Sequence, residues 1–405
     1  METIAFNPFE PGFAEDPYGQ YGRLRAEAPV GQTPFGVWAL FRYDDVVRFL
    51  RDTSLSVDQA NAHETVFDQV RADAGIGADE LGPSDSMLQR DPPDHTRLRR
   101  LVSKAFTPRS IQQLQPRIVE LVDQSLDRAA EQGSTELIGD LAFPLPFQVI
   151  TEMMGMPEVD TDQLRAWTGL LVRTLEPVVD PETMRAIADA GRNFDALLTE
   201  AIAWKRANPG DDLFTRLIHA EEDGDSLTDV ELISQVALLY VAGHETTVNL
   251  IGNGGLALVR HPDEMVRWRN DPDLDANAID ELLRYDSPVQ NTRRITRTEM
   301  VLDGQTIEPG AFVVLGLASS NRDEAKWGPT AGTLDLGRPG AGDHVSFGGG
   351  HHFCLGASLA RLEGQTALGR LIRRFGSIEL VEEPTWNGRL NLRGLTALHL
   401  AVGPA

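Results

Sequence analysis

The sequence predicts an α+β fold that is mainly α-helical, carried by a single domain over residues 1–405. Three observations predict it. Helical periodicity recurs from Asp94 to Asp286, and the strand-like pieces read at Val37–Phe41 and within Val301–Leu317 are short. No repeat, low-complexity tract or convincing linker divides the chain. At 405 residues it is long enough to bury a sizeable core.

The first 40 residues or so are rich in proline, glycine and aromatics and read as irregular chain leading into the strand Val37–Phe41. Ser54–Arg90 is a polar stretch broken by Gly75, Gly77, Gly82 and Pro83. It is too long for a simple connection and is expected to shape a binding site. From Asp94 to about Gly133 helix follows helix, with Pro108 and Pro116 as punctuation and Thr107 as an N-cap before a proline. Further helices are expected over roughly 141–156, 160–176 and 181–207. After Leu227, Ile233, Val236, Ala237 and Tyr240 recur at three and four residues. This predicts a long helix, reaching about Val259, that runs through the core. The next helix ends near Asp286, before Pro288. Beyond it Val301–Leu302, Thr306–Ile307 and Phe312–Leu317 read as strands separated by Asp303-Gly304 and Pro309-Gly310 turns.

Charge and cysteine content exclude several functions. Lys and Arg number 37 against 61 Asp and Glu, a net charge of −24. So acidic a surface repels nucleic acid and anionic lipid except where cations cluster. With one cysteine, Cys354, there is no internal disulfide and no multi-thiol metal site. The start, METIAFNPFEPGFAEDPYG, has neither a basic n-region nor an apolar h-region, and no uncharged apolar run reaches membrane-spanning length. No secretion signal or membrane anchor is expected, and the cytoplasm is the expected compartment.

Four motifs carry chemistry. Cys354 lies in FGGGHHFCLGASLARLE, a glycine-rich stretch followed by a helix-favouring run. An isolated cysteine is usually a small buried apolar residue. Here the glycines permit close backbone approach, and a helix N-terminus favours the thiolate, which could serve as a nucleophile or as the axial ligand of a haem iron. AGHETT, Ala242 to Thr247, lies on the long helix; a HExxH zinc site would need histidine where Val248 stands. Glu281 and Arg284 are three apart on one helix face, a spacing that taken alone describes a weak surface pair. In DPPDHTRLRR, His95 and Arg99 share a face, while Arg97 and Arg100 suit a solvated basic one.

Phe347, Gly350, Cys354 and Gly356 match FxxGxxxCxG, and the chain resembles the cytochrome P-450 family. The motifs occur in family order over roughly 95–356, so the resemblance covers most of the chain. It implies the family fold, a helical core with a long central helix and small β-sheets, and haem b with the Cys354 thiolate on the iron. AGHETT resembles AGx[DE]TT, which implies that the helix opens locally at Gly243 and that Glu245 and Thr246 are the catalytic acid–alcohol pair relaying protons to bound oxygen. Glu281 and Arg284, about 70 residues before Cys354, match ExxR, and Arg338 completes a buried structural triad. His95, Arg99, His352 and Arg294 match the residues that receive the haem propionates, with Arg293 the weaker candidate. Leu238, Ala242 and Val289 are placed nearest the haem and substrate by analogy. The chain departs from the family at Glu324, where proline is frequent.

The implied activity is that of a soluble, monomeric haem-thiolate monooxygenase. It inserts one atom of O2 into a hydrophobic organic molecule, with residues 54–90 and 160–207 covering the pocket. No flavin or nicotinamide domain is resembled, so electrons are expected from NAD(P)H through a ferredoxin reductase and a ferredoxin. Arg97, Arg100, Lys104, Arg361, Arg370 and Arg373 are the candidate docking cations. A non-catalytic haem sensor or carrier, and a peroxide-driven peroxygenase, are the alternatives. Retention of Glu245 and Thr246 speaks against both.

Overall fold

The computed structural model describes residues 6–77, 85–157, 160–177, 180–222 and 224–404; Gly82, Pro83 and the first five residues lie outside them. In chain order the first helices are α1 (Tyr18–Glu27), α2 (Tyr43–Arg51), α3 (Val66–Asp73), α4 (Asp94–Ala105), α5 (Pro108–Gln113), α6 (Gln115–Gln132), α7 (Pro144–Met154), α8 (Thr161–Leu171) and α9 (Pro181–Ala207). They continue as α10 (Leu213–Ile218), α11 (Asp229–Arg260), α12 (Pro262–Asn270), α13 (Asp275–Tyr285), α14 (Leu317–Ser320), α15 (Glu324–Trp327) and α16 (Ala357–Arg374). The strands begin with β1 (Val30–Gln32), β2 (Trp38–Leu40), β3 (Ser134–Glu136), β4 (Glu221–Glu222), β5 (Asp225–Ser226) and β6 (Asn291–Ile295). The rest are β7 (Met300–Leu302), β8 (Gln305–Ile307), β9 (Phe312–Gly316), β10 (Phe375–Leu380), β11 (Thr385–Trp386), β12 (Leu395–Ala397) and β13 (His399–Pro404).

The mainly helical α+β class is as expected, with three corrections of detail. The first 40 residues are not irregular, since α1 and β1 lie within them. α1 buries Gln20 and Arg25 beside Tyr21 and Leu24, so no apolar stripe announces it. The Ser54–Arg90 stretch contains α3, whose start is a capping box in which the Thr65 side chain and Asp68 satisfy each other's backbone amides. Between Val259 and Asp286 there are two helices, α12 and α13, parted by a turn at Pro272. The expected turns hold: Asp303 and Gly304 both take left-handed φ (49° and 75°) between β7 and β8, and Gly310 has φ 79°.

The chain divides into two compact units. The first comprises Met1–Leu55, Leu114–Pro146 and Thr246–Ala405. Its main sheet has the order β1-β2-β9-β6, with β2 and β9 parallel and the other pairs antiparallel. Side chains alternate across it as the pleat requires. Trp38 and Leu40 join Val313, Leu315 and the Val46, Phe49 and Leu50 stripe of α2 on one face, whereas Ala39 and Phe41 pack with Tyr21 and Leu24 of α1 on the other. Further on, α11 meets α16 through glycines. A Cβ at Gly254 would lie 2.8 Å from Leu368, and one at Gly364 would lie 2.9 Å from Leu250. Both positions are therefore closed to side chains, and the helix that follows Cys354 is held close against α11.

The second unit comprises Ser56–Gln113 and Phe147–Glu245. Here α9 packs against α8 and α10, and Phe194 of α9 meets Tyr240 of α11 edge to face at 5.9 Å. Gln235 of α11 ties down the residues before α4, accepting from the Met87 amide at 3.0 Å and donating to Asp85 O at 3.1 Å. Thr107 caps α5, its hydroxyl accepting from the Ser110 amide at 3.2 Å. The helix α11 thus contributes Asp229–Glu245 to this unit and Thr246–Arg260 to the first.

Candidate active site

Cys354 sits on a loop whose path is set by glycine. Gly348 and Gly350 take left-handed φ of 70° and 66°. A Cβ on Gly350 would stand 2.4 Å from Leu50 O and 3.3 Å from Arg51 Cα, so the loop presses against the end of α2 where only glycine fits. Gly350–His352 form a single 3-10 turn, after which the Cys354 amide donates to Phe347 O at 3.0 Å. That bond closes the loop on itself and joins Phe347, Gly350, His352 and Cys354 into one structure. Gly356 is the N-cap of α16, and Cys354 precedes its first residue by three. The sulfur would be 4.0 Å from a Cβ on Gly356, an ordinary contact. Cys354 is exposed, as is its neighbour Phe353.

Glu281, Arg284 and Arg338 are buried together and form the triad expected from the resemblance rather than a surface pair. Arg284 donates twice to Glu281, from Nε at 2.6 Å and from Nη2 at 2.8 Å. Arg338 Nε reaches both Glu281 oxygens at 3.1 and 3.2 Å, and the Asp335 amide donates to Oε1 at 3.0 Å. The remaining guanidinium donors go to carbonyls and one hydroxyl: Arg284 Nη1 to Asn321 O and Ala331 O, both at 2.7 Å, Arg338 Nη2 to Thr330 O and Thr333 O, both at 2.9 Å, and Arg338 Nη1 to Thr330 Oγ1 at 3.2 Å. The triad thereby ties α13 to the chain between Asn321 and Arg338. Glu324, the departure from the family pattern, starts α15 behind the Asp323 N-cap and pairs with Arg25 at 3.3 Å.

Arg294 lies on β6, buried, donating to Leu50 O at 3.3 Å and Arg293 O at 2.7 Å. It thus touches the same turn of α2 that receives Gly350. Arg293 instead lies over the Phe312 ring at 5.5 Å. Val289 bridges to Leu392 and packs against the main-sheet core. In the other unit His95 is buried and Arg99 half-buried on one face of α4, and on α11 Leu238 is buried, Ala242 exposed and Glu245 half-buried. Thr246, half-buried, belongs to the first unit.

The implied opening of the long helix is absent: α11 runs unbroken through Ala242–Thr247. His244 Nδ1 donates to Tyr240 O one turn back at 2.7 Å, and a Cβ at Gly243 would come no nearer than 3.7 Å to Ile150. Nothing therefore crowds the helix apart at this point. The candidate docking cations need a similar correction, since most are already paired within the chain. Arg97, read as a solvated residue, is ion-paired with Glu231 and lies 3.4 Å from Asp225. Arg361 pairs with Asp280, Arg370 with Asp123 and Arg373 with Asp275, and Lys104 donates to Glu221 O at 3.1 Å.

Two features escaped the sequence reading. Glu363 is buried, and burial pushes its carboxyl up to about 8, opposed by the Thr247 hydroxyl. Its signal was an acid on the buried stripe Leu359, Glu363, Ala367, Leu371 of α16, where i, i+4 spacing demands apolar residues. The second is Asp280, one residue before Glu281, whose carboxylate serves both Arg361 and His344. Among the described residues no His, Cys, Asp and Glu cluster could hold a metal ion by itself, and no helix is long and apolar enough to cross a membrane.

A family model described as cytochrome P450 matches residues 178–389. The chain is 42% identical to cytochrome P450 107B1 of Saccharopolyspora erythraea, over 98% of this chain and 97% of that one. It is 41% identical to the vitamin D(3) 25-hydroxylase of Pseudonocardia autotrophica, over 98% and 96%. Among solved structures, the bacillaene polyketide synthase cytochrome P450 PksS of Bacillus subtilis superposes with a TM-score of 0.89 at 37% identity, covering 98% of this chain and all of that one.

Proposed function

The chain belongs to the cytochrome P450 family, and from that premise we propose a haem-thiolate monooxygenase that hydroxylates a hydrophobic organic small molecule with electrons from a ferredoxin and its reductase. P450 monooxygenases carry haem b and use O2 and NAD(P)H through redox partners. The residues present fit that group. The single cysteine stands exposed beside an exposed phenylalanine, on a loop closed by its own amide and fitted by Gly350 against α2. When bound, haem supplies the electron transfer and O2 activation that no side chain provides.

In this reading Cys354 supplies the thiolate ligand, and Phe347, Gly350 and Gly356 shape the loop that presents it. His95, Arg99, Arg294 and His352 are the donors for the two propionates. Glu245 and Thr246 hold and pass protons at the carboxylate and hydroxyl oxygens. Leu238, Ala242 and Val289 exclude water and face the substrate. Glu281, Arg284 and Arg338 keep the supporting chain in place. The relatives named vitamin D(3) 25-hydroxylase and polyketide biosynthesis cytochrome P450 PksS support a hydrophobic organic substrate. The reading takes residues 1–405 as one P450 domain, monomeric and cytoplasmic.

The observation that carries the proposal is the closed Cys354 loop. Its test is the ferrous carbon-monoxide spectrum. A red-shifted Soret band is expected from the wild-type chain and its loss from Cys354→Ser, and a band that survives the substitution would overturn the ligand assignment.

A further inference from the structure

The loop that carries Cys354 is braced by a second polar cluster beside the buried triad. Asp280 of α13 accepts from Arg361 Nε of α16 at 2.7 Å and from His344 Nε2 at 3.3 Å. His344 accepts the Ser346 amide on Nδ1 at 3.1 Å, so its proton is on Nε2, pointed at Asp280. Its ring is buried, and burial holds it below its usual value, opposed by Asp280. Burial also acts to raise Asp280, but the hydrogen bonds from His344 and Arg361 leave it below the usual carboxylate range. The cluster is therefore an ionised carboxylate, a neutral imidazole and a guanidinium.

All of it converges on one aromatic ring. The Arg361 guanidinium lies 4.6 Å from the Phe347 ring centroid, the His344 ring 5.4 Å away on a tilted approach, and Phe353 closes the edge at 6.2 Å. Phe347 in turn holds the Cys354 amide through its carbonyl. Space for the arrangement is made at Gly342, where a Cβ would lie 3.2 Å from Asp280 Oδ2.

We propose that Asp280, Arg361 and His344 are positioning residues for Cys354: the carboxylate holds the guanidinium and the imidazole against Phe347, and Phe347 holds the cysteine in the geometry that ligates iron. The proposal rests on the reading of Cys354 as the haem ligand, and it moves Arg361 from the docking surface to the interior of the loop's support. Ligand-orienting partners of this kind change metal affinity or activity by about 10- to 100-fold when removed.

The test uses the haem-loaded protein and follows the rate at which the red-shifted ferrous carbon-monoxide band decays to the short-wavelength form in mild denaturant. Asp280→Asn keeps the side-chain shape and removes the charge, and about a tenfold faster decay is expected. Arg361→Gln, at a partly exposed position, should give the same increase and provides the test if Asp280→Asn does not fold. Arg361→Lys should recover part of the loss, and combining Asp280→Asn with Arg361→Gln should add little to either alone. The control is Arg374→Gln, on α16 like Arg361, which breaks a surface pair with Asp127 of α6 and should leave the rate unchanged. Decay at the wild-type rate in both network variants, or equal acceleration in the control, would overturn the proposal while leaving Cys354 as ligand. A wild-type protein with no red-shifted band, or a Cys354→Ser protein that keeps it, would overturn the ligand reading and this inference with it.

Discussion

Around Cys354 the backbone departs from regular structure at nearly every step, and each departure is secured: two left-handed glycines, one of them pressed against Leu50 O, an amide-to-carbonyl closure, and a carboxylate network behind the Phe347 ring. Along Ala242–Thr247 the backbone is uninterrupted helix, and the residues assigned to proton transfer are half-buried side chains on an ordinary scaffold. A ligand that must hold a metal in one place needs its main chain immobilised. A relay needs only oxygen atoms at suitable positions, which a regular helix supplies. Substitutions in the first region should therefore act on folding and haem retention, and those in the second on the use of electrons.

The largest effect is expected where the support of the loop is most deeply buried. Glu281→Ala leaves two guanidinium groups buried without their carboxylate and should destabilise the protein by about 3–5 kcal/mol, read as a fall in the denaturation midpoint with loss of haem. Next comes Gly350→Ala, which combines a left-handed φ with a clash against Leu50 O. A loss of about 3 kcal/mol is expected, and a change below about 0.5 kcal/mol would show that the loop is not confined as described.

A third prediction uses pH. In the folded state Glu363 keeps its proton up to about 8, whereas the unfolded chain releases it near 4.5. The native state therefore binds more protons over that window, and its stability falls as pH rises through it, by about 3 kcal/mol at pH 7. Glu363→Gln should flatten the decline between pH 5 and 8; an unchanged slope would mean that the carboxyl is ionised in the folded protein. The smallest effect on stability belongs to the relay. Thr246→Ala should alter it by no more than about 1 kcal/mol. It should nonetheless divert electrons from product to peroxide or water, and fully coupled turnover would remove Thr246 from proton transfer.

One side of this contrast was legible in the sequence, the glycine-rich turn around Cys354; the other was not, since an opening at Gly243 was expected where α11 runs unbroken. The spans of α9 and α11 lie within about two residues of those expected, and the motif residues of the Cys354 loop fall together. What escaped has physical causes. α1 has no apolar stripe, because arginine and glutamine take buried positions there. Asp280 and Arg361 are 81 residues apart and meet only through the packing of α13 on α16, so neither gives a local signal. The candidate docking cations read as a free basic set because sequence shows charges but not their partners. Arg370 and Asp123, 247 residues apart, form a pair that only the packing of α16 on α6 brings about.

The central claim is that one sulfur, on this loop, binds iron. Because Cys354 is the only cysteine, growth on cysteine labelled with a heavy sulfur isotope places the label there alone among cysteines. Resonance Raman spectra of the ferric protein should then show an iron–sulfur stretching band that moves to lower frequency on labelling. A spectrum with no isotope-sensitive band in that region would contradict the assignment of Cys354 as the ligand.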